Sequence, residues 1–372
     1  MSHDEVFFMP LSLDDTNFFK KLDIVFSIPS IACSLGIIAV ITLIHMYDAK
    51  LADRVSLRLT FYVSIADLVY SVFQVFSYVI EQPGFWCSFS VWGYVNFSLL
   101  SVYLKGLIAF SLQLIFVHQI KDTKRYEAWY IVGAIIGSFI PATAPALAGM
   151  YGWLEWEHTC WYLNDGLFDG YVWEWLSYYI WVLMSVIYST FTIVIVLKKI
   201  YTRTREIELE FEGGKKVAFS SIAQRNAFEA IKQAAYRVAW YPIISLFTRF
   251  FELLNAVYTY HQGEFPYWVN VGGVITAASP GTITAIVFLF DPSLKHAWLK
   301  ICEGMVKEYG TLSQHSEYSG PPPFSPISPG FTPTQHLLSP SVCSDTPITQ
   351  KASIRQQLIR WAVRKWLLPH DK

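Results

Sequence analysis

The chain has 372 residues, of which 53% are hydrophobic and only 15% charged, with a formal net charge of −1. Soluble domains carry roughly 25% charged residues. That deficit, a mean hydropathy of +0.34 and 14 Trp exclude a disordered, collagen-like or nucleic-acid-binding chain, and five Cys are too few for a disulfide scaffold. The remaining class is a membrane protein that crosses the bilayer several times.

Residues 1–22 are polar and are expected to form a short extracellular N-terminus. They lack the apolar core and cleavage site of a signal peptide, so the first span is expected to act as an uncleaved signal anchor. A spanning helix needs about 20 mostly apolar residues. Seven runs qualify: 24–47, 57–80, 87 to near 119, 129–150, 172–201, 234–258 and 267–290. They are too long for barrel strands and lack their alternation. The expected fold class is therefore all-α, a seven-transmembrane helix bundle over residues 23–290.

Lysines and arginines in short loops set orientation. Lys50, Arg54 and Arg58 lie at the first loop, and Lys121, Lys124 and Arg125 at the third. Lys198, Lys199, Arg203, Arg205, Lys215, Lys216 and Arg225 lie at the fifth. The intervening loops hold no Lys or Arg and carry Glu81, Glu155, Glu157, Asp165, Asp169 and Glu264. This places the N-terminus outside and the C-terminus in the cytoplasm, which requires an odd number of spans. Lys20 and Lys21 oppose the rule and are balanced by Asp4, Glu5, Asp14, Asp15 and Asp23.

Cys87 opens the third span, and Cys160 sits within the outer loop between spans four and five. Both face an oxidising compartment, which permits a disulfide between them. The alternative is two free thiols. Cys33, Cys302 and Cys343 have no metal-ligand spacing with His, so no metal or cofactor is expected.

Ionisable groups inside spans need a partner or a function. Asp67 lies near the middle of span two, Lys105 deep in span three, and Arg249 and Glu252 in the outer half of span six. Two readings stand. Lys105, Arg249, Glu252, Asp67 and the loop residue Trp161 form a polar ligand pocket, in which the two cations suit an anionic ligand. Alternatively Arg249 pairs with Glu252, and Lys105 with Asp67, as structural ties. Outer-end aromatics such as Trp86, Trp92 and Trp268 fit an interfacial belt.

Pro141, Pro145, Pro242 and Pro280 each remove a backbone donor, and Pro242 and Pro280 are the expected hinges. Arg203 to Glu212, ahead of Gly213-Gly214, reads as a helical extension of span five. Beyond the spans, residues 291–310 show Leu294, Trp298, Ile301, Cys302 and Met305 at helical spacing, an amphipathic helix on the membrane with Cys302 a palmitoylation candidate. Residues 311–350 are rich in Ser and Pro and are expected to form a disordered cytoplasmic tail. Its Ser325, Ser328, Thr332, Ser339 and Thr346 each precede Pro, the pattern of proline-directed kinase sites. Residues 351–372 form a basic amphipathic segment suited to the anionic inner leaflet.

Seven helices, an outside N-terminus and a span-three Cys opposite a loop Cys resemble the G-protein-coupled receptors over residues 23–309. Leu57-Arg58-Leu59, Ser64-Ile65-Ala66-Asp67-Leu68, Leu107-Ile108-Ala109-Phe110, Phe116-Val117-His118 and Cys160-Trp161-Tyr162 resemble the cAMP-receptor-like group of slime moulds and fungi, near the secretin-like receptors. The chain departs from the rhodopsin-like pattern. Lys124-Arg125-Tyr126 is its nearest text to Asp-Arg-Tyr, span seven reads Ser279-Pro280-Gly281-Thr282, and span six carries Ala239-Trp240-Tyr241-Pro242.

The resemblance implies a plasma-membrane receptor that passes an extracellular small-molecule signal, a nutrient or a cyclic nucleotide, to a heterotrimeric G protein and cAMP signalling. Asp67 would then be a packing and switching hub. His118, Lys121, Lys124, Arg125, Lys232 and Arg237 would rim the cleft that receives the G protein, and the tail would recruit kinases and an arrestin-like adaptor. A transporter or channel is the alternative. Enzyme chemistry is not expected, because His45, His118, His158 and His261 are scattered. Span seven has no Lys for a retinal Schiff base.

Overall fold

The structure is a computed structural model. It describes residues 13–49, 53, 55–80, 82–118, 124–155, 158–164, 167–212, 240–262, 267–291, 294–295 and 297–302. Contacts divide the chain into two units, Met1–Ala297 and Trp298–Lys372. Of the second, residues 298–302 are described. They are helical, with Trp298 and Leu299 exposed.

In the first unit the helices are α1 (Leu13–Tyr47), α2 (Val55–Val79), α3 (Phe85–Phe116) and α4 (Lys124–Leu147). Then come strands β1 (Tyr151–Leu154) and β2 (Thr159–Tyr162). Helix α5 (Phe168–Glu174) runs through a π turn at Trp175–Tyr179 into α6 (Ile180–Glu212). Helices α7 (Trp240–Gln262), α8 (Tyr267–Ala278) and α9 (Pro280–Leu289) follow. Among the described residues, five helices are long and apolar enough to cross a membrane, and six if the bent α8–α9 pair is one span. Large apolar side chains point outward along them, among them Leu43, Val132, Ile140, Ile187 and Phe191. A multi-pass membrane protein is the class of molecule that presents such a surface.

Helix α3 is the axis of the bundle and its most buried helix. It packs against α2, α4, α6, α7 and both strands, and α1 closes the ring by touching α2, α8 and α9. One core cluster joins Tyr70, Val91, Tyr94, Leu99, Tyr178 and Val182 at the hairpin end of the bundle. A second joins Leu59, Val63, Leu104, Ile108, Val196 and Ile244 at the opposite end.

Several boundaries differ from the sequence reading. Residues 13–22, read as part of a short polar N-terminus ahead of the first span, are already helical. Asp14 and Asp15 sit in the first turn, where carboxylates favour the helix dipole, and Thr16, Phe19 and Asp23 are buried. The chain is not purely α-helical: the loop after α4 folds into an antiparallel hairpin that pairs Tyr151 with Tyr162 and Trp153 with Cys160. Gly149, at φ 71°, ends α4 with its amide bonded to the Ala146 carbonyl and the Met150 amide bonded to the Pro145 carbonyl, a paired left-handed stop. The extension of the fifth span is present, since α6 reaches Glu212.

The seventh run is two helices rather than one. Ser279 breaks it, α8 and α9 meet at a 57° bend, and Pro280 takes the first position of α9, where its missing amide costs nothing. The bend presses α9 onto α1. The Gly281 amide donates to Ser30 Oγ at 2.9 Å, and a Cβ at Gly281 would lie 2.5 Å from the Ser30 carbonyl oxygen.

Gly281→Ala is therefore expected to force α1 and α9 apart, at a cost of about 1–3 kcal/mol for overpacking. Gly36→Ala, where a Cβ meets nothing within 4 Å, serves as the control. Thermal unfolding in detergent or nanodiscs checks the pair: a lowered melting temperature is expected for the first variant only.

Candidate functional site

Two buried charge networks cross the interior. In the deeper one, Lys105 of α3 donates to Asp67 Oδ1 of α2 at 3.0 Å and to Ser101 Oγ at 2.9 Å. Ser101 also donates to Asp67, and Thr284 of α9 donates to Asp67 Oδ2 at 2.9 Å. The Asp67 side chain is fully buried and that of Lys105 nearly so. A carboxylate that accepts three donors and an ammonium that finds two acceptors offset the cost of leaving water. The network ties α2, α3 and α9 at one level.

The second network lies nearer the hairpin. Arg249 Nη1 of α7 donates to both oxygens of Glu252, at 2.8 and 3.0 Å, and to the Tyr178 hydroxyl at 3.0 Å. Its guanidinium lies 5.0 Å from the centre of the Tyr70 ring, a cation–π contact. Glu252 further accepts from Tyr94 at 3.3 Å and Tyr178 at 3.1 Å, and Ser98 is 2.8 Å from the Tyr178 hydroxyl. Glu252 thereby joins α7 to α3 and to the π turn. The wide turn belongs to this arrangement: Ser177 and Tyr178 within it are buried and point to the hairpin and to α7 respectively.

The hairpin covers this end of the bundle. A disulfide joins Cys87 of α3 to Cys160 of β2, with Cα atoms 5.4 Å apart. Tyr151 donates to the Ala142 carbonyl of α4 at 3.0 Å, and the Tyr162 hydroxyl lies 2.6 Å from Ser177 Oγ. Burial pushes both phenols well above the usual tyrosine range, so they stay neutral. Trp161, next to the disulfide, donates its indole N–H to Glu174 Oε1 of α5 at 2.6 Å.

Beneath the hairpin is a cavity of about 200 Å3, smaller than the roughly 300–1,000 Å3 of typical drug-sized sites and suited to a small molecule. Residues near the N-terminal ends of α1 and α3 and near the C-terminal ends of α2 and α7 contribute to it, with Tyr171 and Glu174 of α5 and Asn270 and Ala277 of α8, so α1 and α3 run opposite to α2 and α7. Its polar lining includes Thr16, Lys20, Gln74, Glu174, Glu252 and Asn255.

Of the residues assigned to a pocket from sequence, Trp161 and Glu252 line this cavity. Asp67, Lys105 and Arg249 are not among its lining residues; they are held in the two ion pairs. His118 is exposed at the far end of α3. Lys124 and Arg125 open α4, with side chains outside the described set. Pro242 lies within α7, its side chain likewise outside that set. Lys121, Lys232, Arg237, Met305, Cys343, Ser325, Ser328, Thr332, Ser339, Thr346 and the basic segment 351–372 lie outside the described residues. Cys302 is a free, half-buried thiol.

Sequence reasoning missed Asp23, Gln74 and the tyrosines. Asp23 was read as balancing surface lysines, yet it is fully buried and accepts from Gln74 Nε2 at 2.5 Å. A tyrosine hydroxyl within an apolar run needs a partner when buried, but the sequence does not show that Tyr70, Tyr94 and Tyr178 are the ones that turn inward.

No family model and no curated protein matches the chain.

Removing one partner of a buried pair leaves the other charge stranded, at about 3–5 kcal/mol, whereas replacing both by apolar groups is close to neutral. Asp67→Leu and Lys105→Met are each expected to abolish a stable fold or lower its melting temperature sharply. The double variant should recover most of that loss, as read by thermal unfolding and folded yield.

Proposed function

We propose that this chain is a plasma-membrane receptor of seven spans with its N-terminus outside, which binds a small polar ligand beneath the hairpin and signals to a heterotrimeric G protein. The observation that carries this reading is the double role of Glu252. It lines the cavity, and it also accepts hydrogen bonds that tie α7 to Tyr94 of α3 and, beside Arg249, to Tyr178 of the π turn. A ligand that competes for Glu252 or for the Tyr178 hydroxyl changes the tie of α7, and only such differential contact shifts a two-state equilibrium.

Helix α7 then supplies the seventh crossing. Its 23 residues extend about 35 Å at 1.5 Å per residue, enough for the hydrocarbon core. Arg249 and Glu252 lower its apparent hydropathy but neutralise each other inside the bundle. The described basic residues Arg58, near the start of α2, and Lys198 and Lys199, in the second half of α6, lie away from the hairpin, which supports that end as the cytoplasmic face under the positive-inside rule. The segment 213–239, which precedes α7 in sequence, holds Lys215, Lys216 and Arg225. The disulfide suits an outer, oxidising face.

A transporter is the second reading, favoured by the break between α8 and α9, since interrupted helices are a device of transporter sites. Nucleotide exchange on a panel of purified heterotrimeric G proteins, with the chain in nanodiscs, separates the two. Glu252→Gln weakens the tie and is expected to raise ligand-independent exchange, by roughly tenfold for each 1.4 kcal/mol of tie removed. Absence of exchange from wild type and variant across nutrients and cyclic nucleotides, together with solute flux in liposomes, would replace the receptor with a transporter.

A further inference from the structure

We infer that the cavity beneath the hairpin takes a small primary ammonium compound, an amine or an amino acid, and not an anion. This deepens the receptor reading and rests on its choice of site. The two cations that made an anionic ligand attractive, Lys105 and Arg249, are already matched by Asp67 and Glu252 and are not part of the cavity wall. Lys20 is the one Lys or Arg among the lining residues.

What the wall offers instead is unmet acceptors. Gln74 is nearly fully buried, and while its amide N–H holds Asp23, its Oε1 has no partner. Thr16 Oγ1, also buried, and Asn255 Oδ1 are unpartnered too. All three residues line the cavity, on α1, α2 and α7. A buried acceptor without a donor is costly, and a ligand that brings N–H groups offsets that cost. An ammonium supplies three donors and a positive charge. Glu174 adds a buried carboxylate to the same wall, and Trp161, Tyr171 and Tyr179 add aromatic rings of the kind that attract cations. A phosphate or cyclic nucleotide would set its negative charge among these acceptors. A quaternary ammonium lacks N–H donors and would leave the acceptors unmet.

Lys20 divides the class further. It is a cation with no ion-pair partner among the described residues, set in α1 one turn from Thr16. An amino acid can present its carboxylate to Lys20 and its ammonium to the acceptors, whereas a simple amine uses the acceptors alone.

The test is direct binding to the full chain in nanodiscs, by calorimetry and by thermal shift, without G protein. The probes are ethanolamine, leucine, choline, inositol and cyclic AMP. Saturable binding is expected for ethanolamine or leucine, with choline weaker and inositol and cyclic AMP silent. Gln74→Leu and Glu174→Gln should each weaken ammonium binding by about tenfold or more, the scale of one charge-assisted hydrogen bond. Asn255→Leu reads the third acceptor should either variant fail to fold.

Loss on Lys20→Gln for leucine alone identifies the amino-acid form, and no loss with ethanolamine bound identifies the amine; both keep the inference. It is overturned if inositol or cyclic AMP binds while both primary ammonium probes are silent, or if ammonium binding is unchanged in the folded variants. Ammonium binding without nucleotide exchange would sink the receptor reading and leave the ligand class standing. Exchange driven by a polyol or an anion would do the reverse.

Discussion

A charge inside an apolar slab must bring its counter-charge and hydrogen-bond partners with it, because no solvent is there to replace them. Here that constraint falls on α3 and its neighbours. Lys105 is met by Asp67 from α2, and Asp67 is in turn met by Thr284 from α9. Arg249 and Glu252 on α7 are met by Tyr94 from α3 and Tyr178 from the π turn. Helices whose outer faces are interchangeable with lipid gain little from apolar contact with one another. Polar contacts of fixed geometry are what select one arrangement of these helices over others, and both networks run through the interior where α3 sits.

The two networks differ in what they leave open. The Asp67 cluster is closed: every oxygen of the carboxylate has a donor, and the pair is sealed from the cavity. Its role is to hold α2, α3 and α9 in register. The Glu252 cluster borders the cavity, and its hydrogen bonds are longer on the tyrosine side, 3.1 and 3.3 Å, than on the arginine side at 2.8 and 3.0 Å. A tie made of several moderate bonds to three elements can be redistributed without stranding a charge, since Arg249 and Glu252 travel together on one helix. That is the physical difference between a structural pair and a pair suited to a switch.

Much of this was legible in the sequence for simple reasons. Apolar runs of this length have few alternatives to a helix in a membrane, and residues three apart on one helix, such as Arg249 and Glu252, meet without further information. Asp67 and Lys105 were matched as the ionisable residues of neighbouring spans. The rest depended on rotation about the helix axis. In a helix that is apolar on nearly every face, no stripe tells the inward side from the outward, so the inward turn of Tyr70, Tyr94, Gln74 and Asp23 could not be read. The broken last span was hidden for another reason. Ser279-Pro280 is compatible with a kink or a full break, and what decides is Gly281, whose lack of a Cβ lets α9 close onto Ser30. The hairpin was hidden because its strands are four residues each and lie in a loop rich in aromatic side chains of either orientation.

The position of that hairpin accounts for the character of the cavity. The disulfide fixes β2 to α3, Tyr151 and Tyr162 dock it on α4 and the π turn, and Trp161 reaches Glu174 on α5. With its roof anchored on one half of the ring, the cavity is lined on the other half by α1, α2, α7 and α8, where the unpartnered acceptors of Thr16, Gln74 and Asn255 lie. A ligand carrying donors would give these three acceptors partners that the protein's own side chains do not supply, which is the advantage of the proposed ammonium here.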